Sequence, residues 1–234
     1  MFHIKKDIAM SLTIIALLTT SAAFAKSDDT NPLTGRAEAN RDVDNAEAIK
    51  LRSSAGDAAV GRDKSQLCQG CHGEEGISFE PLAPKLAGQY SAYIVKQVRN
   101  YQAGVRTHQI MNAMAATLTD EELINIGNYF ASRKTMKGAG GVENPIGKNL
   151  FLHGDIKRMV VACVNCHGVN GKGLTPNTST FPVLGGQHKA YLQGQLVNFR
   201  SGLRANSPGD IMHRIARNLT DAEIDALGDY ISSL

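Results

Sequence analysis

The chain contains no tryptophan, and only 6% of its 234 residues are aromatic. Large side chains are therefore too scarce for a small helical unit to build a robust core from its own residues. Neither sign of charge dominates: 25 Lys and Arg against 22 Asp and Glu give a formal net charge of +3. That balance lacks the strong basic excess of nucleic-acid binders, and no nucleic acid is expected as a partner. Four cysteines are too few for a disulfide scaffold of this length. Beyond the N-terminus there is no long apolar run, which excludes a membrane-spanning bundle. No alternation of apolar and polar residues runs far enough to build a sheet, so the chain reads as all-α.

The one apolar run, from Ile8 to Thr20, follows Lys5 and Lys6 and precedes Ala23-Phe24-Ala25. A basic start, a short apolar stretch and a small-x-small site form the pattern of a cleaved export signal. At 1.5 Å per residue the run falls short of the roughly 30 Å of hydrocarbon that a membrane anchor must cross. Residues 1–25 thus read as a signal peptide cut after Ala25, and the mature chain as periplasmic. Residues 26–55 have no aromatic and balance five basic with six acidic side chains, a solvated N-terminal arm.

The remainder repeats itself. Cys68-Gln69-Gly70-Cys71-His72-Gly73 returns 95 residues later as Cys163-Val164-Asn165-Cys166-His167-Gly168. The segment from Pro84 to Arg106 returns as Pro182 to Arg204, a shift of 98, with ten of 23 positions identical. Leu118-Thr119-Asp120 returns as Leu219-Thr220-Asp221, a shift of 101. The order of features is the same in both halves, so a unit of roughly 85 residues has been duplicated. Boundaries follow at 56–134 for the first unit, 135–145 for a Gly-rich linker and 146–234 for the second unit. Ile94, Val98 and Tyr101 form one helical stripe, copied by Leu192, Leu196 and Phe199. Thr119 with Glu122, and Thr220 with Glu223, have capping-box spacing at the start of each last helix.

A helical unit of this kind needs something to fill its middle, and the cysteines say what. Cys-x-x-Cys-His is the attachment signal of c-type haem: two thiols add to the vinyl groups and the adjacent His binds the iron. Cys68, Cys71, Cys163 and Cys166 are the attachment candidates, with His72 and His167 as axial ligands. Four cysteines could instead hold one zinc, but a zinc ribbon needs no His after each second Cys. A redox-active dithiol would call for a βαβ setting that is absent. A disulfide across Cys-x-x-Cys closes almost no loop.

The sixth iron ligand separates electron carriers from catalysts. Met111 precedes Thr119 by eight residues, as Met212 precedes Thr220. Met114 aligns with Ile215 and reads as packing, so Met111 and Met212 are the ligand candidates. His108 and His213 lack counterparts at the same repeat position and read as surface or supporting groups; His153 and His188 read as structural or solvent-facing. An axial imidazole usually donates its other N–H to a fixed acceptor, and the carbonyls of Pro84 and Pro182 are the candidates. Gly88 and Gly186 read as close turns over the haem. Tyr93, Tyr191, Gln97 and Gln195 could pack on the haem or face the core.

Taken together, the paired Cys-x-x-Cys-His motifs, Met111, Met212 and the doubled Pro-x-Leu-x-Gly-Gln segment resemble the cytochrome c4 family over about residues 56–234. The resemblance implies two tandem class-I cytochrome c domains about a pseudo-twofold axis, two covalently bound haem c groups, and propionates near the interface. It implies one-electron transfer rather than catalysis. The partners it implies are redox proteins: a membrane quinol–cytochrome c reductase or other donor, a haem-copper terminal oxidase as acceptor, and membrane association through them. A tightly bound electron-transfer subunit of a periplasmic dehydrogenase or sulfur-oxidising enzyme is the alternative, and a dihaem peroxidase a more remote one. The arm from Lys26 to Ser54 is longer than the family leads one to expect.

Overall fold

The computed structural model describes residues 56–140, 144–174 and 181–234. Residues 1–55, read above as signal and arm, and 141–143 of the linker lie outside the described residues. Among those described there are helices and one isolated bridge, Asp155 to Val160, but no strand. No described helix is long and apolar enough to cross a membrane.

The two halves share one plan. The first holds α1 (Ala58–Lys64), α2 (Gln66–His72), α3 (Ser91–Gln102), α4 (Gln109–Ala116) and α5 (Asp120–Ala131). The second holds α6 (Pro145–His153), α7 (Val164–His167), α8 (Lys189–Ser201), α9 (Ile211–Ala216) and α10 (Asp221–Ser233). Both capping boxes form. Thr119 and Thr220 accept the N–H of Glu122 and Glu223 at 3.3 and 3.2 Å, and those carboxylates accept the cap N–H at 3.0 and 2.9 Å. Each satisfies helix N–H groups that have no partner inside the helix.

The last helix of each half packs on the first and third: α5 on α1 and α3, α10 on α6 and α8. Glycine allows the tight crossing. A Cβ on Gly61 would run into the Asn125 carbonyl, and one on Gly147 into the Ala226 carbonyl. The helices bury Ile94, Ile126, Tyr129 and Phe130 in one half, and Phe151, Leu192, Leu227 and Ile231 in the other. Phe130 and Phe151 are wholly buried, which stabilises the fold by about 1.5–3 kcal/mol per ring.

The segment from Thr135, read in the sequence as the start of the linker, is wedged between the halves. Met136 is fully buried with Tyr90 and Val183. Its N–H donates to the Ala87 carbonyl at 3.0 Å, and the Gly138 N–H donates to the Leu234 carbonyl at 2.7 Å. The second half adds two features. One is a turn that closes with the Asp155–Val160 bridge and is anchored by Arg158 on Glu223 at 2.6 Å. The other is a three-residue 3-10 turn, Pro208–Asp210, just before α9. The latter accounts for the change of repeat shift from 98 to 101.

Candidate haem-binding sites

α2 and α7 end on the predicted histidines because a glycine follows each one. Gly73 and Gly168 leave the helix at φ 81° and 76°, backbone that other residues rarely adopt. His72 is 7% and His167 6% exposed. Each meets the acceptor that the sequence pointed to: His72 Nδ1 donates to the Pro84 carbonyl at 2.8 Å, and His167 Nδ1 to the Pro182 carbonyl at 2.9 Å. A carbonyl only accepts, so the proton sits on Nδ1 and Nε2 keeps its lone pair. Burial pushes both imidazoles below the ordinary pKa, against the raising effect of the proline carbonyl. Both are neutral at physiological pH, as a metal ligand must be.

No disulfide joins any of the four cysteines. Burial raises the pKa of Cys68 and lifts that of Cys163 to about 11, the reverse of the lowered thiol of a redox-active pair. No group of three or more His, Cys, Asp or Glu gathers as a metal cluster among the described residues, so the four thiols do not converge on a zinc site.

One cavity runs between the halves, with about 1310 Å³ of space inclusive of its open mouths. His72 and Met111 line it from one half, His167 and Met212 from the other. The helical stripes line it too: Ile94, Val98 and Tyr101, and Leu192, Leu196 and Phe199. Met114 is half-buried on α4 and does not line it. His108 caps α4, its Nδ1 accepting the Met111 N–H at 3.4 Å. His213 Nδ1 donates to the Phe199 carbonyl at 2.7 Å, and His188 Nε2 to the Ser78 carbonyl at 2.9 Å.

Two expectations change. Gly88 and Gly186 do turn with positive φ, 67° and 83°, but they do not line the cavity. A Cβ there would strike the backbone of Thr135 and of Lys137, so the close approach is to the wedged linker rather than to a haem. Tyr93, Gln97, Tyr191 and Gln195 build a crossed polar network with two residues to which the sequence reading gave no role. Arg106 donates to Gln97 at 2.8 Å in its own half, and to Tyr191 and Gln195 of the other at 3.0 and 2.9 Å. Arg204 mirrors it, reaching Gln195 at 2.8 Å and Tyr93 and Gln97 at 3.0 and 3.1 Å. Each guanidinium also lies over its own aromatic, Arg106 on Tyr101 and Arg204 on Phe199. Burial disfavours ionisation of Tyr191, yet the two guanidiniums beside it hold its phenol below the ordinary pKa. The signal for these arginines was present: each is the identical last residue of the repeated segment.

The network tests whether haem fits. Arg106 and Arg204 are 7% and 6% exposed, and all their bonded partners above are neutral. No Asp or Glu is among the residues lining the cavity. Two buried cations without a counter-anion call for an acidic group in that space. Haem brings carboxylates, needs apolar walls, and takes imidazole nitrogen, thioether sulfur and thiols. The cavity supplies the apolar walls, the imidazoles, the methionine sulfurs and the two cations, and the thiols lie on the helix turns that lead to His72 and His167 rather than in its lining.

Comparison with known proteins agrees. A family model described as "Cytochrome c" matches residues 147–234, and one described as "Cytochrome C oxidase, cbb3-type, subunit III" matches residues 60–130. Cytochrome c4 of Pseudomonas aeruginosa is 41% identical, covering 79% of this chain and 92% of that protein. A thiosulfate dehydrogenase electron acceptor of Stutzerimonas stutzeri is 35% identical over 73% of this chain and 80% of its own length. The crystal structure of reduced cytochrome c4 from Pseudomonas stutzeri superposes with a TM-score of 0.73 at 38% identity, covering 77% of this chain and all of that one. The chain belongs to the cytochrome c4 family, electron-transfer proteins rather than enzymes, and is all-α with two cytochrome c domains and two covalently bound haem c groups.

Proposed function

We propose that this protein is exported to the periplasm and carries single electrons from respiratory donors to a haem-copper terminal oxidase. Cys68 and Cys71 attach one haem and Cys163 and Cys166 the other. His72 with Met111 would hold one iron, and His167 with Met212 the other. Bound haem supplies one-electron exchange between ferric and ferrous iron. The chain's own residues do the rest. The Pro84 and Pro182 carbonyls fix each imidazole and raise its basicity. Apolar stripes lower the local dielectric and exclude water. Arg106 and Arg204 neutralise carboxylates between the two sites.

The observation that carries this reading is the pair of His and Met side chains lining one cavity in both halves. With both a histidine and a methionine available to hold each iron, no position would be left for a substrate there, which disfavours a peroxidase. The test is a haem count per chain with oxidised and reduced optical spectra. Two low-spin c haems with the long-wavelength ferric band of Met–iron ligation support it; a high-spin haem without that band overturns it.

The likeness to a thiosulfate dehydrogenase electron acceptor favours a second reading of the donor. Here a sulfur-oxidising dehydrogenase, rather than quinol–cytochrome c reductase, reduces the protein. Stopped-flow reduction of the ferric protein decides between them. Reduction by thiosulfate plus a thiosulfate dehydrogenase at rates above those with quinol and reductase-containing membranes favours the dehydrogenase. The opposite order favours the respiratory donor.

A further inference from the structure

The repeated Pro-x-Leu-x-Gly-Gln segments end on Gln89 and Gln187, each 4% exposed. Each glutamine reaches into the other half. Gln187 accepts the Lys85 N–H at 2.8 Å and donates to the Lys85 carbonyl at 3.0 Å. Gln89 accepts the Val183 N–H at 2.9 Å and donates to the Val183 carbonyl at 3.0 Å. Lys85 and Val183 directly follow Pro84 and Pro182, whose carbonyls hold His72 and His167. The amide of each half thus clamps the backbone on which the other half's histidine acceptor rides. The same side-chain oxygens also accept the N–H of Tyr90 and His188 at 3.1 and 3.0 Å, so each clamp is pinned at the start of its own α3 or α8.

We propose that Gln89 and Gln187 are positioning residues acting in trans. Gln187 sets the histidine–proline hydrogen bond of the first haem, and Gln89 that of the second. The Lys85 and Val183 N–H groups share a peptide plane with the Pro84 and Pro182 carbonyls, so the amide oxygen that accepts them holds that plane, and the amide nitrogen that donates to the next carbonyl holds the plane after it. Releasing the amide loosens the bond to Nδ1–H. The imidazole then becomes a weaker electron donor, ferric iron is less stabilised, and the potential of that haem rises. The proposal rests on the His72 and His167 ligation given above.

The experiment uses the full holoprotein carrying Gln187→Ala, Gln89→Ala and, as a conservative change, Gln187→Glu. Glutamate keeps the acceptor for the Lys85 N–H and loses the donor. Haem count and the Met–iron band first establish that ligation is intact in the wild type, which separates failure of the ligand reading from failure of the clamp. Proton exchange at each His Nδ1–H is then followed by NMR in the ferrous state, with site-resolved potentials. Gln187→Ala is expected to speed exchange at His72 about tenfold or more and raise the potential of the first haem. His167 should change far less, Gln89→Ala should give the mirror result, and Gln187→Glu should fall between. If each variant perturbs the histidine of its own half, or both histidines equally, or neither, the clamp in trans is wrong.

Discussion

The two halves share glutamine, arginine and tyrosine positions where they face each other, although Lys96, buried at that joint against the Asn206 carbonyl, has Gly194 as its copy, and they differ further where they face water. Gln89 and Gln187, Arg106 and Arg204, Tyr93 and Tyr191 keep both identity and partners across the repeat. Away from this interface the second half has gained the anchored Asp155–Val160 turn, with Ile156 and Met159 exposed at 79% and 62%. It also has Arg214 and Arg217 exposed around α9, where the matching positions of α4 carry Ala113 and Ala116. A duplicated unit that kept only its haem pocket would have been free to diverge at the joint. That the joint kept these glutamines, arginines and tyrosines makes the pair, rather than the single unit, the functional object.

The largest effect expected from breaking the comparison lies at the two methionines proposed as iron ligands. Met111→Ala should open the first site alone and Met212→Ala the second alone. Each should remove half of the long-wavelength ferric band and lower one potential by on the order of 0.1 V or more, within the roughly 0.8 V that axial ligation spans. Spectroelectrochemistry reads both quantities. A change at both sites from one substitution would assign the methionines differently.

Next come the glycines. Gly88→Ala and Gly186→Ala force alanine into left-handed backbone and against the wedged linker. Each should cost about 2 kcal/mol or more in urea unfolding of the holoprotein, since the conformation alone costs about 1–2 kcal/mol. Gly194 lies within α8, and its Cβ would meet open space. Gly194→Ala should therefore stabilise, by about 0.5–1 kcal/mol. The first half has already taken a side chain at the matching place, Lys96.

A smaller effect separates the caps under acid. The hydrogen bond from Lys64, then those from Thr119, pull the Glu122 carboxyl from 4.5 to about 2. Its folded pKa is depressed, so the stabilisation is present above about 4.5 and is lost as pH falls towards 2. In the second half Arg158 depresses Glu223 in the same way. Glu122→Gln should flatten the pH dependence of helix content over that window in the first half and leave the second unchanged. An unaltered acid titration would mean that the Lys64 pairing contributes nothing in solution.

Much of this was legible in the sequence because duplication prints each important residue twice. Cys68, His72 and Met111 stand out through their copies, and Met114 drops out because its copy is Ile215; in the fold only Met111 reaches the cavity. The capping boxes were legible because their partners are three residues apart. The interface was not, because its partners lie about a hundred residues apart and cross between copies. Arg106 repeats as Arg204, which marks it as important, yet nothing in one dimension says that it reaches Tyr191 rather than Tyr93. The glycine assignment missed for the same reason: positive φ at Gly88 follows from the turn, but the neighbour that demands it, Thr135, comes from a linker with no repeat to flag it.

The finest comparison concerns the two potentials. Residues 56–134 carry eight basic and eight acidic side chains, residues 146–234 nine and six. Positive surroundings disfavour ferric iron, so the second haem should have the higher potential. Three extra charges about 15 Å away in water contribute about 0.04 V before screening, and salt reduces it. Raising the ionic strength from about 0.01 M to 1 M shortens the screening length from roughly 30 Å to 3 Å, and the part of the gap due to surface charge should vanish. A gap that persists in 1 M salt would have to come from inside. The approach to each methionine differs there: the Met111 N–H bonds His108 Nδ1 at 3.4 Å, whereas the Met212 N–H bonds Ser207 Oγ at 3.1 Å beyond the added 3-10 turn. Site-resolved titration at the two salt concentrations thus assigns the difference either to the faces that diverged or to the ligand loops.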